Sequence, residues 1–347
     1  MKRKNNNRSS RTKVALIVLC VILAIVLAAL IFLTAYVESW MNRLNRDVNN
    51  ETLSSSEVEQ ILQQEATGTG PTVREDDIDF GKEPTVTIGG EEIVNILLIG
   101  QDRRPGEGRQ RSDAMILCTI NVNTKTLTMT SFLRDMYVQI PGYRNNKINA
   151  CYALGGMELL DASLEQNFGI HVDANVEVDF SGFMELIDMM GGVNLELTQD
   201  EANYLNYRGN WDVTGNDGWT LKAGKNHMSG SQALAYSRIR AIGSDFGRTE
   251  RQRKVITALV EKAKSMNLGE MLTVMEKAVS LITTDMSNQE ITGYIMDFFP
   301  MLSGLTINTQ RVPVDGTYYF GDINGVGDAI ILDFEANRQM LVDTLSD

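Results

Sequence analysis

Histidine and cysteine are scarce in this chain of 347 residues: it has two histidines, His171 and His227, and three cysteines, Cys20, Cys118 and Cys151. The cysteines show neither metal-ligand spacing nor a disulfide framework; Cys20 falls in an apolar run, and Cys118 and Cys151 read as small buried residues. The histidines lie too far apart in sequence to suggest a zinc site or a Ser-His-Asp triad. No GxxxxGK[ST] phosphate loop is present, and the pairs Gly155-Gly156 and Gly191-Gly192 are only turn signals. Positive charge is also in deficit, with a formal net charge of -13. The first thirteen residues contribute +6 through Lys2, Arg3, Lys4, Arg8, Arg11 and Lys13, which leaves -19 for the rest. A body this acidic argues against nucleic-acid binding, so any basic cluster inside it stands out as a local anion site.

What is present divides the chain. Val14–Val37 is an uncharged run of 24 residues, enough to cross a hydrocarbon layer of roughly 30 Å as a helix. A cleaved secretory signal is the alternative, weakened by the length and by the lack of an A-x-A-like site before Glu38. With the cations in front of it and Tyr36 and Trp40 placed as in an aromatic belt, the expectation is a single-pass signal anchor. Residues 1–13 would be cytoplasmic, 14–37 in the membrane, 38–88 a polar stalk and 89–347 an extracytoplasmic body. A hydrophobic fraction of 43% with 22% charged residues fits a folded body.

Within the body, β-branched and apolar runs predict strands at 94–99, 114–121, 127–132, 176–178, 193–197 and 305–312. Helical periodicity covers 156–168, 181–190, 229–236, 248–265, 268–283, 288–298 and 333–345. Strict βαβ alternation is absent, and the pattern predicts an α/β fold, a single αβα sandwich around a central mixed sheet.

Charge then gathers in three places. The loop after Ile99 holds Asp102, Arg103, Arg104, Arg109, Arg111 and Asp113. Carboxylates suit a hard divalent cation, and arginine forks suit phosphate oxygens; the alternative is a solvated loop whose charges pair with one another. Arg134-Asp135 follows the 127–132 run, and Lys147 stands where a helix is expected to start; each has an ordinary reading, a salt-bridged strand exit and a solvated lysine. The third place runs from Tyr236 to Lys254. If Arg248 opens a helix, Arg248, Arg251 and Gln252 share one face, and like charges so placed repel unless an anion lies between them. Arg238 and Arg240, at alternate positions, point the same way in an extended piece. Met184, Met189, Met190, Met266, Met271 and Met275 lie on amphipathic stretches, as core packing or as an adaptable wall for an apolar ligand. The segment 203–224, with Trp211 and Trp219, is a flap or a packed surface loop.

The pieces Asn95–Gly100 with Asp102, Arg111-Ser112-Asp113, Arg134-Asp135, Lys147–Ala150, Arg238-Ile239-Arg240 and Asp245–Arg248 with Arg251-Gln252, in this order, resemble the LytR-CpsA-Psr family of bacterial cell-wall enzymes. The resemblance implies a polyprenyl-pyrophosphate lipid with its tail in an apolar groove, walled in part by the methionine-bearing helices. Arg111, Arg134, Lys147, Arg238, Arg240, Arg248 and Gln252 would hold the pyrophosphate, and Asp102 and Asp113 a magnesium ion. Asp245 would orient or deprotonate the acceptor hydroxyl, with Arg134, Arg238 and Arg240 stabilising the reacting phosphate. The implied reaction transfers wall teichoic acid or a capsular or secondary wall polysaccharide from that carrier to peptidoglycan, in the cell membrane of a Gram-positive bacterium. A pyrophosphatase without ligase activity and a lipid-binding regulatory module are the competing readings. Two departures, Leu133 for a proline and Arg253 for a second glutamine, bear on substrate choice rather than chemistry.

Overall fold

The computed structural model describes residues 35–36, 38–46, 53–63, 68–90, 92–101, 108–210, 213, 215–216 and 218–346. The expected membrane segment therefore lies outside the described residues except at 35 and 36. Among the described residues no helix is long and apolar enough to cross a membrane.

Before the body come the short elements β1 (Asn45–Arg46), α1 (Ser55–Leu62) and β2 (Thr72–Val73), then a 3-10 turn at Glu75–Asp77. α1 starts at a capping box, Ser54 accepting from Glu57 N–H while Glu57 accepts from Ser54 N–H. The body opens with β3 (Ile93–Gln101), β4 (Ser112–Asn121) and β5 (Thr126–Phe132), an antiparallel meander. The short pair β6 (Tyr137–Val138) and β7 (Asn146–Lys147) leads into α2 (Asn149–Phe168). There follow β8 (Ala174–Asp179), α3 (Phe180–Met189), β9 (Val193–Leu197), α4 (Gln199–Asn206) and β10 (Gly224–Met228). Next come α5 (Gly230–Arg238), α6 (Ser244–Lys264), α7 (Leu268–Ala278), β11 (Ile282–Thr284) and α8 (Asn288–Phe298). A 3-10 turn at Phe299–Gly304, β12 (Thr306–Val312), the hairpin β13 (Tyr318–Ile323) and β14 (Gly327–Leu332), and α9 (Phe334–Leu345) complete the chain.

Seven strands form one mixed sheet in the order β1-β11-β8-β3-β4-β5-β12, with β8 parallel to β3 and β12 parallel to β5. Alternation sends Leu97, Ile99, Met115 and Leu117 to one face, where Leu160, Leu164 and Phe168 of α2 and Leu341 of α9 cover them. The opposite face presents Ile116, Cys118 and Met129 to Ile256 and Val260 of α6 and to Met301 of the 3-10 turn. The result is the expected layering, helices on both faces of a mixed sheet.

Three boundaries differ from the sequence expectation. α2 begins seven residues before Gly156 and is kinked there, where Gly156 takes φ 65 and ψ -152, a conformation open to glycine. α7 stops at Ala278 because the β-branched Ile282-Thr283-Thr284 pairs with β8 instead of continuing the helix. α6 begins at Ser244, four residues before Arg248. Parts of the polar stretch 38–88 lie on the body: Trp40 and Met41 are buried against Leu272 and Val279, and Ile88 is fully buried. Trp40, placed in an aromatic belt by the sequence reading, is thus a protein-packing residue.

Leu97 is fully buried where the meander meets α2, whereas Val86 is 45% exposed. Leu97→Ala is expected to lower unfolding free energy by about 3 kcal/mol and Val86→Ala by less than about 0.5 kcal/mol, as read from urea titrations of the full chain.

Candidate functional site

At one end of the sheet, where β3 ends, β4 begins and β5 exits, a cavity of about 260 Å³ is lined by Gly100, Asp113, Ala114, Arg134, Phe180, Ser237, Arg238, Arg240, Arg248 and Gln252. Six separate stretches supply these residues, and the arginines come from the exit of β5, the end of α5, the following loop and the first turns of α6.

Two carboxylates hold the guanidinium groups close together. Arg134 Nη1 hydrogen-bonds Asp113 Oδ1, and Arg240 Nη2 stands 3.8 Å from the same oxygen. Asp245 takes a bidentate fork from Arg248, Nε to Oδ1 and Nη2 to Oδ2 at 2.8 Å each, with Arg240 Nε 3.8 Å from Oδ1. Arg248 Nη1 also donates to the Asp113 carbonyl at 2.8 Å, tying α6 to the start of β4. Arg134 Nε lies 3.5 Å from Asp135, which is also 4.0 Å from the buried Lys147 Nζ. Arg238 lies over the Phe180 ring, 4.7 Å from its centre, a cation–π contact that leaves the edge of the guanidinium for hydrogen bonding.

The electrostatics follow from this crowding. Burial would raise the Asp245 carboxyl, but the hydrogen bonds and charge of Arg248, with Arg134 and Arg240, hold it below its ordinary 3.8. Arg240 is shifted down by burial and by repulsion from Arg134 and Arg248, only partly offset by Asp245 and Asp113. Arg134 is shifted up: burial opposes its charge, yet Asp135, Asp113 and Asp245 outweigh it. Among the described residues, Asp113, Asp135 and Asp245 are the carboxylates beside Arg134, Arg240 and Arg248, and at Arg240 burial and the neighbouring cations outweigh them. Gln252 Oε1 is buried without a hydrogen-bond partner among the described residues; its amide can turn either end to a ligand. The cavity is built to take an anion.

Of the residues singled out in the sequence, Asp113, Arg134, Arg238, Arg240, Arg248 and Gln252 line this cavity, and Asp245 pairs with Arg248 and approaches Arg240. Arg111 turns elsewhere, to Asn149 Oδ1 at 3.2 Å and to the Ile61 carbonyl of α1. Lys147 is 2% exposed, in β7 two residues before α2, with its Nζ 4.0 Å from Asp135, the neighbour of Arg134. Asp102 lies outside the described residues. Arg251, one turn along α6 from Arg248, does not line the cavity: it is buried against Glu201 at 2.8 Å and donates to the Ile239 and Ile242 carbonyls, fixing the loop that carries Arg240. Phe180 and Ser237 were not anticipated; Phe180 carries no signal beyond following the strand-like Val176–Val178. Arg253 is buried and outside the cavity, its Nε and Nη1 without hydrogen-bond partners among the described residues, and burial lowers it to about 10. Nothing described explains that residue.

Asp113 offers a hard carboxylate oxygen at the cavity wall, the donor that magnesium takes. Among the described residues no three His, Cys, Asp or Glu side chains gather as a metal site. Asp113 is the one carboxylate on the described cavity wall, and its Oδ1 is already paired with Arg134 and approached by Arg240.

The fold is that of a known class. A family model for the LytR_cpsA_psr family matches residues 59–332, and the chain belongs to that family. It is 32% identical over 280 residues to the polyisoprenyl-teichoic acid–peptidoglycan teichoic acid transferase TagU of Oceanobacillus iheyensis, covering 77% of this chain and 80% of that protein. Regulatory protein MsrR of Staphylococcus aureus is 31% identical over 262 residues, covering 73% and 75%. Among solved structures, the LytR-CPS2A-psr family protein YwtF (TagT) with bound octaprenyl pyrophosphate lipid superposes with a TM-score of 0.56 at 25% identity, over 78% of this chain and 99% of that one.

Because Asp245 is held below its ordinary value, its ionised form is favoured by the fold. That stabilisation is complete above the ordinary carboxylate value of 3.8 and lost as pH falls through the lower folded value. In Asp245→Asn, urea unfolding is expected to lose this part of its acid dependence below about pH 4; an unchanged acid limb would refute the assignment.

Proposed function

We propose that this protein is a membrane-anchored, extracytoplasmic transferase that moves an anionic glycopolymer, wall teichoic acid or a capsular or secondary wall polysaccharide, from a polyprenyl-pyrophosphate carrier to peptidoglycan. The observation that carries the reading is the alignment of a cationic cavity with an apolar layer on the same sheet face. Gly100 and Ala114 line the cavity. Two and four residues along the same strands, Leu98 and Ile96 and then Ile116 and Cys118 continue that face. Leu98 and Ile96 are only half-buried, as are Ile120, Val122, Phe298 and Leu302 in the same layer, and α8 above them has no buried residue. A loosely covered apolar track beginning at a set of arginines suits a lipid tail with a pyrophosphate head. The methionine-bearing helices do not form it; Met275 packs with Trp40, and Met189 and Met266 line a depression beside Lys262.

In the proposed reaction an acceptor hydroxyl of peptidoglycan attacks the phosphorus that bears the glycan. A phosphodiester forms, the bond to the bridging pyrophosphate oxygen breaks, polyprenyl phosphate leaves, and the hydroxyl proton passes to solvent. Arg134, Arg238 and Arg240 neutralise charge on the reacting phosphate and the leaving group, where preorganised donors contribute most. Arg248 and Gln252 fix the phosphates, with Arg111 and Lys147 in support. Asp245, a weak base while Arg248 holds it, is assigned to orienting the arginines and the incoming hydroxyl. Magnesium on Asp102 and Asp113 would supply further positive charge beside the pyrophosphate when bound. The name of MsrR favours a second reading, a regulatory module that docks the carrier without transferring glycan.

Transfer of labelled lipid-linked glycan to peptidoglycan sacculi by the full chain in detergent separates the two. The transferase reading expects product that falls about 100-fold or more in Arg240→Ala and Asp113→Ala, with no change in Asn123→Ala at the far end of the sheet. Retained binding of polyprenyl pyrophosphate with no product from any donor would favour the regulatory reading.

A further inference from the structure

Residues 38–46, which follow the uncharged run, are held to the edge of the sheet. Tyr36, the last described residue of that run, donates through its hydroxyl to Glu276 Oε2 at 2.5 Å, and Arg43 reaches the same carboxylate at 3.4 Å. Trp40 and Met41 are 2% and 1% exposed, packed on Leu272 and Val279. Asn45 Nδ2 donates to the Ser280 and Ile282 carbonyls at 3.3 Å each, and β1 pairs in parallel with β11 at the edge of the central sheet.

Register shows where this attachment sits. Asn45 pairs with Thr283, Thr283 with Glu177, and Glu177 with Ile99, so all four lie on one rung. β1 runs opposite to β3, so the residues before Asn45 extend past the level of Ile99 toward Gly100, the end at which the arginine cavity opens. Three interstrand steps of about 4.8 Å separate β1 from β3, roughly 14 Å in all. The membrane end of the chain and the mouth of the site are therefore at one end of the sheet and close in projection. Basic attraction to anionic lipid is not what would hold this edge, since α7 carries Glu270 and Glu276 against Lys277.

We propose that Tyr36 and residues 38–46 form a rigid mount that holds the α7–β11 edge and the mouth of the arginine cavity against the surface of the lipid bilayer, so that a membrane-borne donor reaches the arginines without the body having to swing on a tether. This rests on the assignment of Val14–Val37 to the membrane.

The test places a fluorophore at Lys277→Cys on α7 or at Asn123→Cys in the β4–β5 turn, in the full chain with Cys20→Ala, reconstituted in phosphatidylcholine vesicles. Cys118 and Cys151 stay unlabelled, since both are buried and burial raises their thiols to about 12. Nitroxide on the lipid headgroups should quench position 277 at least twofold more strongly than position 123. Equal or reversed quenching overturns the mount, as does failure of the chain to sediment with vesicles. Trp40→Ala should lessen the contrast; full contrast in that variant would assign the orientation to something other than the mount. The parent comparison decides the orientation even if that variant is unstable. Because the readout needs neither donor nor acceptor, glycan transfer with equal quenching would remove the mount alone, and contrast without transfer would remove the transferase reading alone.

Discussion

Like charges at close range are the constraint around which this structure is arranged. Arg134, Arg240 and Arg248 would repel one another if left unpaired, and Asp113 and Asp245 hold them together, each carboxylate contacting or approaching two guanidinium groups. The balance is incomplete: burial and neighbouring cations both act against the charge on Arg240. A pair of carboxylates thus preorganises the cations and leaves an excess for a ligand to neutralise. Preorganisation of this kind places the cost of bringing cations together in the folding of the protein rather than in the reaction.

The fold supplies that arrangement through its chain ends and crossings. β3, β4 and β5 bring Gly100, Asp113 and Arg134 to the same end of the sheet, and α6 delivers Arg248 and Gln252 from above. The loop between α5 and α6 carries Arg240 and leads into Asp245 in the first turn of α6, and it is fixed by the buried pair Arg251–Glu201 with its two carbonyl contacts. Breaking that pair would leave an uncompensated buried charge and release the loop. At the opposite edge the mount of Tyr36 and residues 38–46 adds β1 to the same sheet. The site, the apolar track and the proposed bilayer surface then lie along one continuous piece of structure.

Much of this was legible in the sequence. The strands of the meander are alternating, β-branched runs, and their limits were read to within two residues because burial of one face imposes a period of two. The arginines of the cavity were legible as basic residues inside an acidic chain. Contacts between distant segments were not: Glu201 lies fifty residues before Arg251, and no local pattern links them. Arg111 reads like its neighbours in the charged loop, yet α1 captures it through the Ile61 carbonyl. Trp40 reads as an interfacial aromatic because its position after an apolar run is the same whether lipid or protein covers it. The hairpin β13–β14 was missed although Ala329–Leu332 is apolar, since its polar, glycine-bearing turn at Asn324-Gly325 resembles a loop.

The central claim, that this arginine cavity holds the pyrophosphate of a polyprenyl carrier, is tested most directly by mass spectrometry of the intact chain extracted from membranes in mild detergent. The account predicts polyprenyl pyrophosphate bound to the parent protein and removed, or reduced at least about tenfold, by Arg238→Ala combined with Arg240→Ala. Equal lipid occupancy in the parent and in that double variant, with both folded, would contradict it.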